Sequence, residues 1–208
     1  EAAISENGGR EVITIEMKSA EPAMPPRVQV ELFTPQLDVH HLWYSGNIDR
    51  AKLFPEWKAH YSSSLAQDIP IYSFINTNNR NRLTIATNEA KRLVKATMGL
   101  REEEALLQGT LTFFVEAEAP ISHYKVSILL DNRDIFWADA VRESMSWIEA
   151  HNEFKMCRVP DAAFEPLYST WYQFHQQITD KEIEAECREA VKLGMKSIIV
   201  DDGWQTAD

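Results

Sequence analysis

The 208-residue sequence predicts a mainly β chain: an antiparallel β-sandwich, a linker helix, and one strand–helix–strand unit of parallel type. Three observations predict it. Up to about residue 130, apolar and polar residues alternate in short runs, the period-2 signature of half-buried strands. Clusters of Pro and Asn punctuate those runs. After Glu165 the pattern becomes that of an amphipathic helix followed by an unbroken apolar run.

In chain order, Ile13, Ile15 and Met17 alternate with Thr14 and Glu16, and Val28, Val30 and Leu32 with Gln29 and Glu31. Leu111, Phe113 and Val115 alternate with Thr110 and Thr112, and Tyr124, Val126, Ile128 and Leu130 with Lys125 and Ser127. Shorter strand candidates lie at 37–44, 71–75, 83–87 and 92–98. Pro22, Pro25 and Pro26 break one junction and Asn78-Asn79-Arg80-Asn81 another. About eight such strands argue for a sandwich. Residues 45–69, with Phe54, Trp57 and Tyr61, form a connection longer than ordinary loops. It reads as a surface excursion with its own apolar cluster, or as a loop that covers a site or contacts another subunit. Trp137, Val141, Met145 and Ile148 make one stripe of a helix over 136–150. Pro160 and Pro166 flank a linker, which puts the domains at 1–160 and 161–208.

Residues 167–172 suit a strand by their aromatic and β-branched content. Thr179 with Glu182 spells a capping box, and Ile178 with Ile183 a hydrophobic staple. Ile183, Cys187, Ala190 and Val191 form the apolar face of that helix, and Gly194 ends it. The run Ile198-Ile199-Val200 then reads as a strand buried on both faces, as parallel sheets produce. Ligands bind at the carboxyl end of such strands. Asp201, Asp202, Gly203 and Trp204 sit there, with Trp171 on the same rim.

Adjacent carboxylates form a strong acceptor cluster, and an indole beside them offers a flat apolar face. A sugar or other polyol fits that chemistry. Paired Asp residues also suit Mg²⁺ or Ca²⁺, and a strand-end turn with one capping Asp is the plain alternative. A catalytic pair is disfavoured, because consecutive strand side chains diverge while retaining glycosidases need two carboxyls flanking one bond. His40 and His41 read as ordinary sandwich residues, His175 as a loop residue, and Cys187 as a small buried hydrophobe. Ser169 lacks the Gly-x-Ser-x-Gly elbow of a nucleophile.

Composition narrows the partners. Lys and Arg number 21 against 32 Asp and Glu, a net charge of −11, with no basic run long enough to track phosphates. Nucleic acid is not expected, and no stretch reaches the ~18 apolar residues of a membrane span. The start, Glu1-Ala2-Ala3-Ile4-Ser5, shows neither signal peptide nor initiator Met, which reads as a processed boundary. Cys157 and Cys187 lie far apart with no metal-ligand spacing. No metal is expected, and a reducing, cytoplasmic setting fits.

The segment from Tyr168-Ser-Thr-Trp-Tyr-Gln-Phe-His to Ile199-Val-Asp-Asp-Gly-Trp-Gln205 resembles the opening of the catalytic (β/α)8 barrel in α-galactosidases of glycoside hydrolase family 36. The β-rich region before it is similar to that family's N-terminal supersandwich. The resemblance implies a retaining hydrolase of terminal α-galactosides such as melibiose and raffinose, working without cofactor. It implies that Asp201 and Asp202 bind galactose hydroxyls and that Trp171 lines the pocket, with Trp204 part of the motif. The family's nucleophile and acid/base lie on later barrel strands, so no catalytic residue is expected here and the chain is expected to be an inactive fragment. The resemblance also implies homo-oligomers, with the 45–69 excursion as a candidate contact. The alternatives are a non-catalytic carbohydrate-binding sandwich that uses exposed aromatics, or a related α-glycosidase or transglycosidase.

Overall fold

The structure, a computed structural model, describes residues 1–46, 51–52, 59–64, 67–153 and 157–205. It divides into two compact units, Glu1–Lys155 and Met156–Asp208.

The first unit carries β1 (Ala2–Asn7), β2 (Arg10–Ala23), β3 (Val28–Pro35), β4 (His41–Tyr44), β5 (Ala51–Lys52) and β6 (Ala59–Ser63). It continues with β7 (Ile71–Ile75), β8 (Asn81–Thr87), β9 (Val94–Arg101), β10 (Leu106–Phe113), β11 (Ile121–Asp131) and α1 (Trp137–Ala150). A seven-stranded sheet runs β1-β2-β11-β8-β7-β4-β5, and a four-stranded sheet runs β3-β10-β9-β6. Every neighbouring pair in both is antiparallel, as the alternation predicts. Gly8 and Gly9 join β1 to β2 with φ of 59° and 80°, the two left-handed residues of a tight hairpin turn.

The inner faces are the expected ones. Val28, Val30 and Leu32 pack into the same core as Ile13, Ile15 and Met17, and as Tyr124, Val126 and Ile128. On β10 the core is tight at Gly109, where a Cβ would lie 3.1 Å from Met98 Sδ and 3.3 Å from Ile85 Cδ1. Gly109→Val is expected to destabilise by about 1–3 kcal/mol through overpacking. It should lower the denaturant midpoint at unchanged slope; an unmoved midpoint would show that the sheets yield instead.

The centre of the larger sheet is covered on both sides. Tyr72 and Phe74 of β7 face the sandwich core, while Ile71, with Ala86 and Leu129, meets Ile148 of α1. This is why β7 is buried residue by residue and shows no alternation. The helix occupies the expected stretch, but its buried line is Ala140, Ser144 and Ile148, with Val141 and Met145 packed alongside. Small residues at two of those positions permit a close approach to the sheet. Trp137 lies instead against Trp43, ring centroids 5.5 Å apart.

The 45–69 excursion is not loop throughout. It supplies an edge strand to each sheet, β5 to the larger and β6 to the smaller. Its mouth is pinned, since Ser45 Oγ donates to the Ile69 carbonyl at 2.9 Å and accepts from the Ile69 N–H at 2.7 Å. Tyr61 stacks between Tyr44 and Tyr72, centroids 4.1 and 5.5 Å away. Burial there pushes the Tyr72 phenol up to about 12. Phe54 and Trp57, expected to complete an apolar cluster, lie outside the described residues.

A polar knot closes the end of β11. Asp131 is 0% exposed and accepts from Arg133 Nε at 2.9 Å and from the Arg133 N–H at 3.1 Å, with Arg10 Nε 3.7 Å away. Arg133 also reaches Glu143 of α1 at 2.7 Å, and Asn81 Nδ2 donates to the Asp131 and Arg133 carbonyls. Four elements, β2, β8, β11 and α1, meet in this knot.

The second unit contains β12 (Leu167–Ser169), α2 (Trp171–Phe174), α3 (Asp180–Lys192) and β13 (Ser197–Ile199). β12 and β13 pair in parallel, as predicted. Thr179 caps α3, accepting the Glu182 N–H at 3.3 Å. The Glu182 carboxylate takes the Thr179 hydroxyl at 2.7 Å rather than reaching the backbone, so the box closes side chain to side chain. Gly194 adopts φ 81°, and its N–H and that of Met195 bond to the Val191 and Ala190 carbonyls. These are the paired bonds of a Schellman ending.

Two expectations fail here. The strand expected over 167–172 stops at Ser169, because Thr170 takes helical dihedrals (φ −70°, ψ −21°) once its N–H has bonded to Ile199. The N–H groups of Gln173 and Phe174 then turn back onto the Thr170 carbonyl, placing Trp171 and Tyr172 in α2. Nor is the apolar run buried on both faces: Ile199 and Val200 are exposed, and Val191 is 70% exposed. Ala190 alone of α3 is buried, since two strands and one long helix offer too few neighbours to cover more.

Candidate functional site

The doublet sits where the sequence predicts, just past the carboxyl end of β13. Asp201 is half-buried, and its backbone N–H donates to Thr170 Oγ1 at 3.0 Å. Ser169 Oγ donates to Asp201 Oδ2 at 3.5 Å, and the Asp202 N–H donates to Asp201 Oδ1 at 2.9 Å. Asp201 thus acts in part as the turn residue that one sequence reading allowed, while its second oxygen faces a hydroxyl. Asp202 is exposed, and its carboxylate accepts no hydrogen bond among the described residues. The two acids therefore differ: one is oriented by its neighbours, the other is open.

Gly203 has φ 99°, and a Cβ there would lie 2.3 Å from the Gln176 carbonyl oxygen. Both the left-handed backbone and this approach demand glycine. The turn after the doublet is thereby pressed against the segment that follows α2. Trp171 opens α2, directly after the Thr170 that anchors Asp201, and its ring meets His175 edge-on at 5.1 Å. His175 holds φ 51° and ψ −120°, a conformation uncommon for any residue with a side chain. Trp204 is 70% exposed and makes no ring contact among the described residues. Asp201 is therefore tied to the residue just ahead of Trp171, and Asp202 and Trp204 follow it in exposed positions. Two carboxylates at a strand end can accept hydroxyl hydrogen bonds.

No known family model and no curated protein matches this sequence. One solved structure that resembles the chain is the α-galactosidase from Lactobacillus brevis. Identity is 12% and the TM-score 0.45, over 95% of this chain. The chain spans 29% of the length of that enzyme. So slight a likeness assigns no residue a role.

Among the described residues, no three of His, Cys, Asp and Glu gather into a group that could hold a metal ion. None of the described helices is long and apolar enough to cross a membrane. Cys157 is exposed and Cys187 half-buried, both as free thiols. Sequence reasoning weighed Ser169 only as a nucleophile and passed over Thr170. The structure makes both of them supports of Asp201, and Thr170 is fully buried. The available signal was two hydroxyl residues immediately ahead of Trp171, at the end of a strand parallel to the one bearing the doublet.

Proposed function

We propose that this chain supplies the sandwich and the opening strand–helix–strand unit of an α-galactosidase, a retaining hydrolase of terminal α-linked galactose. Asp201 and Asp202 accept hydrogen bonds from galactose hydroxyls, while Trp171 and Trp204 offer ring faces to the C–H side of the sugar. The observation that carries the reading is the placement of Asp201. It lies beyond the carboxyl end of a parallel strand, where such sheets bind ligands, and Thr170 and Ser169 hold it there. The Asp201-Asp202-Gly203-Trp204 motif supports the same substrate class.

The nucleophile and acid/base come from strands beyond Asp208, and no metal or cofactor takes part. The sandwich serves as scaffold and as an assembly surface for a homo-oligomer in the cytoplasm. The purified 208-residue chain is expected to leave p-nitrophenyl α-galactoside intact. The gene product extended through a full barrel is expected to hydrolyse it with retention of configuration, followed by proton NMR. Turnover by the short chain, or none by the extended one, overturns the proposal.

A further inference from the structure

The outward face of the four-stranded sheet has an unusual composition for a surface left only to water. Register places its side chains in cross-strand rows. One row is Gln29–Thr112–Lys95–Ser62 and the next Glu31–Thr110–Thr97–His60, read from β3 through β10 and β9 to β6. A third begins Phe33–Gln108–Gly99. Of the two central strands, β10 contributes only neutral groups while β9 carries Lys95, and the two charged residues of the first two rows, Glu31 and Lys95, are not paired with each other. Exposed antiparallel faces commonly match opposite charges across strands. Among the described residues, the sole hydrogen bond between these side chains links Thr97 Oγ1 and His60 Nδ1 at 3.2 Å.

The face is also hollow. Thr110 and Thr112 are only 8% and 6% exposed, so they form a floor between longer side chains on the flanking strands. The depression measures about 620 Å³, within the usual 300–1,000 Å³ of small-ligand sites. Behind it the inward residues of the same strands, Val30, Leu32, Met98, Leu107 and Leu111, belong to the packed core. A floor built on paired strands is rigid.

We propose that this trough binds a short neutral oligosaccharide. A divalent cation would find one carboxylate between two cations, Arg27 and Lys95, and an anion drawn to that pair would meet Glu31 between them on a chain of net charge −11. An apolar peptide would find no apolar floor. Amides, hydroxyls and an imidazole that can donate or accept suit a ligand bearing many hydroxyls. Phe33, directly opposite Gln108 and 47% exposed, lies in the third row just outside the lining, with the Arg101 guanidinium over its ring 5.8 Å from the centroid. This second sugar site stands independently of the Asp201–Asp202 doublet.

The test is titration of the 208-residue chain with raffinose and with maltotriose, by calorimetry and by amide chemical shifts, in an Asp201→Ala/Asp202→Ala background. Saturable binding is expected with Kd on the order of 1 mM, as for a shallow site with a few hydrogen bonds. Shift changes should fall on β9 and β10. Thr110→Val, which suits a strand, and Gln108→Ala should each weaken it by about 5–10-fold, each worth one hydrogen bond. Thermal melting checks that the variants fold, and Gln29→Ala on the neighbouring strand serves if either does not. Absence of saturable binding to both sugars, or variants that bind as well as the parent, overturns the proposal. Binding that vanishes in the doublet background overturns it too, because it places the sugar at the other site.

Discussion

Replacing both Asp201 and Asp202 by alanine in the gene product extended through a full barrel is expected, on the proposed function, to lower kcat/KM for p-nitrophenyl α-galactoside by roughly 10²–10⁴-fold. A hydrogen bond to a charged group contributes about 1.5–3 kcal/mol, so losing two removes about 3–6 kcal/mol of transition-state binding. The single variants should differ. Asp202 makes no side-chain hydrogen bond among the described residues, so Asp202→Ala should act on substrate alone and leave the melting temperature in place. Asp201 also receives the Ser169 hydroxyl and the Asp202 N–H, so Asp201→Ala should both weaken turnover and loosen the end of β13. A double variant whose kcat/KM stays within about twofold of the parent would remove the sugar-holding role, because even one lost hydrogen bond exceeds that change.

Asp131→Ala should destabilise the first unit more than any surface change. Removing one partner of a buried ion pair costs about 3–5 kcal/mol. The side chains of Arg10 and Arg133 are each 26% exposed and can turn partly to water, which reduces the expected loss to about 2–4 kcal/mol. At about 2–4 °C per kcal/mol for a unit of this size, the melting temperature should fall by roughly 5–15 °C. Asp131→Asn keeps the shape and one acceptor but removes the charge, and should fall between the parent and the alanine variant. If Asp131→Ala melts within about 2 °C of the parent, Glu143 and solvent suffice to hold the arginines and the knot is not a stabilising element.

Strands whose two faces differ were readable from the sequence. Val28, Val30 and Leu32 point inward and Gln29 and Glu31 outward because one face meets the core and the other does not. β1 was missed because both of its faces are exposed, so Ala2–Asn7 carries no alternation. β6 was missed because Ala59–Ser63 mixes a ring and hydroxyls inside a segment that read as a connection. Strand length was over-read at Trp171 and Tyr172. Their aromatic preference for strands is a weak prior, and the tight return of the chain onto the Thr170 carbonyl outweighs it. The doublet was legible because an abrupt change from Ile-Ile-Val to Asp-Asp marks a strand leaving its sheet. The part played by Thr170 was not, since it depends on which strand lies alongside, and parallel pairing across 31 positions leaves no local trace.

The contact between Gly203 and Gln176 bears on how a guest would be received. That close approach ties the turn after the acidic tip to the chain just beyond α2, so the two are expected to shift together. On the proposed reading, little of the attraction for a sugar would then be lost to freezing loose groups, and an epimer with one hydroxyl turned the wrong way would bind less well.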